Sequence, residues 1–156
     1  MRILFFMRRL GLLLLILSAV QPVLADHLLM VRIEKEFPET MNLLQDSIID
    51  HGYTVSRVQR VDIGLSKTGH RTAEYRLVFF GKAGEITRLS RSTPELIPFL
   101  PLKIVIFAEG EETLLLANDP LTLKTSYPDT SLHQYFKAWR DDIHSIMESV
   151  YQQALD

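Results

Sequence analysis

The sequence predicts one α+β domain of about five strands ending in a long C-terminal helix. Three observations carry that reading. Five short stretches are rich in β-branched and aromatic residues and bounded by turn residues, two longer stretches repeat apolar residues at helical spacing, and no repeat, low-complexity tract or linker divides the chain.

Leu29, Val31 and Ile33 alternate with Met30, Arg32 and Glu34, the period of a half-buried strand. Met41, Leu44 and Ile48 then recur at helical spacing, Phe37 can staple the first turn, and Gly52 supplies the left-handed position after the last. One amphipathic helix is expected over residues 38–51. Residues 53–62 read as a strand whose alternation slips between Val55 and Val58, which predicts a bulge at Ser56 and Arg57. A polar, glycine-bounded loop is expected over residues 64–71, then a buried strand over 73–81 centred on Leu77, Val78, Phe79 and Phe80. Residues 84–92 can form a short helix showing Ile86 and Leu89 to the core.

Pro94, Pro98 and Pro101 punctuate a segment, residues 94–102, that is too apolar for an ordinary exposed loop. Proline denies it a regular hydrogen-bonded element, so it either plugs the core or forms a contact surface with Phe99 at its tip. Residues 103–108 and 113–117 are two more strands, and the short polar link of Glu109, Gly110, Glu111 and Glu112 makes them a hairpin. In the final helix Ser131 and Gln134 have capping-box spacing, and Leu132, Tyr135, Phe136, Trp139, Ile143, Ile146, Met147 and Val150 trace one broad apolar face.

The chain starts differently. Arg2, Arg8 and Arg9 make a basic opening, residues 10–20 are an unbroken apolar run, and Val23 and Ala25 stand at the two positions a signal peptidase reads. Residues 1–25 are expected to be a signal peptide cleaved after Ala25, with residues 26–156 as the single mature domain. The alternative, an uncleaved anchor, needs roughly 20 apolar residues, and the clean run is about half that. Arg8-Arg9 raise a twin-arginine route, which Leu10-Gly11 fit poorly. The product is expected outside the cytoplasm without a stable membrane anchor, in the periplasm if the source is a Gram-negative bacterium.

Composition narrows the chemistry. With no Cys in the chain, disulfides, thiolate nucleophiles, iron–sulfur clusters and cysteine-held metals are excluded. After Ala25 there are 14 Lys and Arg against 19 Asp and Glu, a balance of −5, which argues against nucleic acid as a partner. Arg57, Arg60, Lys67, Arg71 and Arg76 fall close together, but with Asp62 and Glu74 among them they read as a solvated strand face rather than an anion patch.

Phe37-Pro38-Glu39-Thr40, His51-Gly52-Tyr53, Phe80-Gly81, Leu100-Pro101-Leu102 and Asn118-Asp119-Pro120, in that order over residues 28–123, resemble the domain-of-unknown-function 302 family. The resemblance implies a TATA-binding-protein-like α+β fold, a curved antiparallel sheet packed on helices, and it carries no established reaction. Where many members have asparagine-proline after the glycine equivalent to Gly81, this chain has Lys82-Ala83-Gly84. The helix after Ser131 extends beyond the matched part.

None of the constellations is a catalytic signature. His133 and His144 lie roughly 16 Å apart along one helix, too far to share an ion, and Asp141, His144 and Glu148 read as a solvated helix face. No metal or cofactor is expected. His70 stands in the glycine-bounded loop with Lys67, Arg71 and Glu74, the type of place where sites concentrate, although no nucleophile accompanies it. Gly81-Lys82-Ala83-Gly84 reads as a tight turn and lacks phosphate-loop and dinucleotide fingerprints. Trp139, Tyr135 and Phe136 fit core packing better than ligand stacking.

The function expected is therefore a non-catalytic small-ligand or protein-binding module of the cell envelope. Its candidate surface is Phe99, Leu96 and Ile97, with His70, Arg71 and Lys67 as a second patch, and its partner is a small apolar ligand, an envelope protein or a second copy in a homodimer. The alternatives are an enzyme of unrecognised type using the loop around His70, favoured if His70 and Glu74 converge in a pocket, and an accessory subunit of an envelope complex, favoured by a flat apolar patch.

Overall fold

In the computed structural model of the protein, residues 27–156 are described, and the expected signal peptide lies outside them. Strand β1 (Leu28–Ile33) leads to helix α1 (Phe37–Asp50), and strand β2 (Thr54–Arg60) runs into the short helix α2 (Val61–Lys67). After β3 (Tyr75–Gly81) come helix α3 (Ala83–Ser92) and a 3-10 turn (Pro94–Phe99). The hairpin of β4 (Leu102–Glu109) and β5 (Glu112–Asn118) follows, then a 3-10 turn (Pro120–Thr122), the single turn α4 (Leu123–Ser126) and the long helix α5 (Thr130–Ala154). All neighbouring strands are antiparallel in the order β1-β5-β4-β3-β2.

The local signals act as their chemistry dictates. Pro38 sits in the first turn of α1, where its missing N–H would have had no partner, and Gly52 ends the helix at φ 76°. The register of β2 against β3 shifts between Val55 and Arg57, leaving Ser56 as the bulged residue. Glu109 pairs with Glu112, so the β4–β5 hairpin turns on Gly110 and Glu111.

Helices α1 and α5 cover one face of the sheet. Ile33, Val78, Phe80, Ile104, Ile106 and Leu115 point into that layer and meet Leu44 and Ile48 of α1 and Phe136, Trp139, Ile146 and Val150 of α5. The buried Ser47 hydroxyl donates to the Ile146 carbonyl at 3.0 Å and ties the two helices together without leaving a polar group unpaired.

Several expectations are corrected. The strand expected to reach Asp62 ends at Arg60, and residues expected in a polar loop form α2 instead. The reason is Arg76, which was expected on a solvated strand face but is buried, ion-paired to Asp62 and to Glu74 at 3.2 Å, with its guanidinium 5.1 Å over the Phe37 ring. Holding a buried cation requires a carboxylate beside it, and α2 delivers Asp62. The segment of residues 94–102 does contain a regular element, because the Leu96 and Leu100 amides bond back to Thr93 and Ile97, while Pro94 opens the turn where no donor is needed and Pro98 sits inside it. Helix α5 is capped by Asp129, whose carboxylate accepts from the Ser131 amide at 2.9 Å, so Ser131 is inside the helix rather than at its cap. Strand β3, finally, is not buried on both sides: Val78 and Phe80 enter the core, while Leu77 and Phe79 lie on the other face.

Among the described residues no helix is long and apolar enough to cross a membrane.

Candidate functional site

A cavity of about 430 Å³ opens at the end of the sheet where β3 finishes and β4 begins. Its walls come from four places. The turn before β4 gives Pro98, Phe99, Leu100 and Pro101, the strands give Phe79 and Lys103, the stretch after β5 gives Asp119 and Pro120, and α5 gives Trp139 and Ile143.

Each wall is fixed by its own chemistry. The turn carrying Phe99 is held by Tyr127, whose hydroxyl donates to the Glu95 carbonyl at 2.7 Å and whose ring meets Phe99 edge-on at 6.0 Å. Asp119 is 8% exposed, caps the following turn by accepting from the Leu121 amide at 2.8 Å, and takes a second contact from Arg140 Nε at 3.3 Å. Trp139 donates its indole N–H to Glu85 at 2.8 Å, which turns its polar edge away and leaves apolar ring to the cavity. Gly81 permits the close approach of α3, since a Cβ there would lie 2.3 Å from the Ile86 side chain.

The charges around the cavity are unequal. Asp119 is matched by Arg140, whereas Lys103 makes no ion pair among the described residues. An apolar chamber with a cation at its wall suits an apolar ligand carrying one negative group.

On the far side of Trp139 lies a polar network that does not open to the cavity. The Tyr53 hydroxyl donates to Asp142 at 2.5 Å, and Lys82 stands 3.3 Å from the same carboxylate and 4.2 Å over the Tyr53 ring. Burial, helped by the Asp142 carboxylate, pushes the Tyr53 phenol far above its usual range, so Tyr53 stays a neutral donor clamping α5 to the start of β2.

The residues singled out in the sequence separate. Phe99 lines the cavity and is 42% exposed, and Ile97 beside it is 51% exposed. Leu96 is corrected: it is fully buried, because the 3-10 turn points it into the core while Ile97 and Phe99 face out. Lys67, His70 and Arg71 are exposed at the opposite end of the sheet, since β3 starts beside Phe107 and ends beside Leu102. Glu74 is committed to Arg76 and does not join His70 in the cavity. His133 approaches the Tyr127 carbonyl at 2.9 Å, and no group of three or more His, Asp or Glu that could hold a metal occurs among the described residues.

Sequence reasoning missed Lys103, Asp119 and the cavity-facing ring of Trp139. One signal was present: Leu100-Pro101-Leu102 and Asn118-Asp119-Pro120, far apart in the chain, both line this cavity.

Residues 29–150 match the family described as domain of unknown function DUF302, a match that takes in most of α5 and so reaches past residues 28–123, on which the sequence resemblance rests. The fold is similar to the crystal structure of the uncharacterized conserved protein DUF302 from Bacillus stearothermophilus, with a TM-score of 0.73 and 19% identity over 81% of this chain and 99% of that one. No curated protein matches the chain. The chain belongs to the DUF302 family.

Proposed function

We propose that this DUF302 member is a non-catalytic binding module, acting outside the cytoplasm, that takes a small and mostly apolar ligand with one anionic group into the cavity at the end of the sheet. The observation that carries the reading is the lining: mostly aromatic, proline and aliphatic side chains around about 430 Å³, with Asp119 held by Arg140 and Lys103 making no ion pair among the described residues. Such a chamber removes apolar surface from water at roughly 25 cal/mol per Å² and leaves orientation to one charged contact. The reading of the protein as non-catalytic is supported by the pairing of Glu74 with Arg76 and by a cavity lining that includes neither His70 nor Glu74. Export is supported by the basic, apolar and small-residue layout of residues 1–25.

Native mass spectrometry of the protein purified from its host tests both parts. The expected spectrum shows a polypeptide beginning at Asp26 that carries a small carboxylate or phosphate ester, lost on Lys103→Glu and on Phe99→Ser. A polypeptide that retains residues 2–20, or one that never carries or acquires such a ligand, contradicts the corresponding part.

A further inference from the structure

The sheet has a second face that neither α1 nor α5 covers. The register aligns Met30, Leu116, Val105 and Leu77 in one row across four strands. In the next row Leu114, Phe107 and Tyr75 follow, the two rings meeting edge-on at 6.1 Å. None of these residues belongs to the core or packs against it, and Met30 is 60% exposed. In a polar-faced antiparallel sheet these positions would be hydrophilic. Here an apolar centre is fringed by charge, the anatomy of an interface.

We propose that this face is the interface of a homodimer in which two copies stack their sheets face to face about a two-fold axis running across the strands. Size supports a second copy. Five strands about 4.8 Å apart and about 20 Å long present roughly 500 Å² in projection, so two copies cover about 1,000 Å² before side-chain relief adds to it, which meets the lower bound for a specific interface.

Charge supports the same occupant. Arg32 with Glu109 and Glu112 stands at one end of the face with a net negative balance, while Arg57 stands at the other. A two-fold axis across the strands lays the acidic end of one copy over the basic end of its partner, and the self-complementary patch closes the assembly at two. Aligned sheets pack in this way about 10 Å apart.

Sedimentation velocity on the full chain, as its host processes it, tests the proposal at micromolar concentration. The expected species is a dimer, and Met30→Glu, at an exposed position outside the cavity lining, weakens dimerisation at least about tenfold while leaving the circular dichroism spectrum unchanged. Leu116→Lys at the centre of the face is expected to act more strongly. A wild-type monomer overturns the proposal, including one that binds anionic lipid vesicles or travels with a different polypeptide through this face. So does a dimer that Met30→Glu leaves intact. Because Met30 does not line the cavity, failure here leaves the ligand-binding reading untouched, and failure of that reading leaves this one.

Discussion

On strand β4, Ile104 and Ile106 point under helices α1 and α5 and are fully buried, whereas Val105 and Phe107, each one residue away, point to the open side and lie outside the core. The four side chains are chemically alike. What separates them is the pleat, which sends neighbours to opposite faces, and the connectivity, which puts α1 and α5 on the same side. Hydrophobic pattern therefore states which residues share a face, and what covers that face is decided by where the connections carry the helices.

The largest expected effect is on the covered side. Trp139→Ala removes a buried indole from the layer between α5 and the sheet and is expected to cost about 3–5 kcal/mol in chemical denaturation. A loss below about 1 kcal/mol, the range of surface changes, would break the comparison. Neighbours on one strand sharpen it: Ile104→Ala is expected to cost about 2–5 kcal/mol, and Val105→Thr under about 1 kcal/mol when measured dilute enough that copies do not associate. Equal costs would mean that both faces are covered.

The same contrast recurs within the turn before β4. Leu96→Ala is expected to cost about 2–5 kcal/mol, since Leu96 is fully buried, while Phe99→Ser costs under about 1 kcal/mol and affects ligand retention instead. If Phe99→Ser unfolds the protein, the cavity wall is structural and the binding surface lies elsewhere.

The smallest effect concerns how α5 begins. The Ser131 amide, with help from the Ser131 hydroxyl, holds the Asp129 carboxyl below the usual carboxylate range. A carboxyl whose value is lowered on folding stabilises the fold above its unfolded value of about 3.9, and that contribution is lost as pH falls through the lowered value. Thermal scans from neutral pH into acid should show a larger decline in wild type than in Asp129→Asn. Identical profiles would move the cap back to Ser131.

Much of the fold was legible. The strand periods, the Ser56 bulge, the hairpin and the apolar stripe of α5 are local consequences of side-chain alternation, backbone sterics and turn chemistry, and they stand in the structure at Ile33, Ser56, Gly110 and Trp139. Helix α2 was not legible, because it exists to bring Asp62 to Arg76, a contact between residues whose neighbours read as strand and loop. The site was half legible: the apolar, proline-rich sequence pointed to Phe99, but Lys103 and Asp119 join it only through the meeting of strand ends that no local pattern encodes. The open face was the least legible of all, since its apolar residues look like any core.

Trp139 is the only tryptophan in the chain and its ring lines the cavity, so its fluorescence reports directly on whether the cavity takes an apolar anion. Titration of the purified protein with decanoate is expected to change Trp139 emission saturably, with affinity falling at least about tenfold, equivalent to about 1.4 kcal/mol, in Lys103→Glu, and with decylamine producing no comparable change in the wild type. An emission spectrum indifferent to decanoate, or one that responds equally to decanoate and decylamine, would contradict the account of an apolar cavity oriented by one cation.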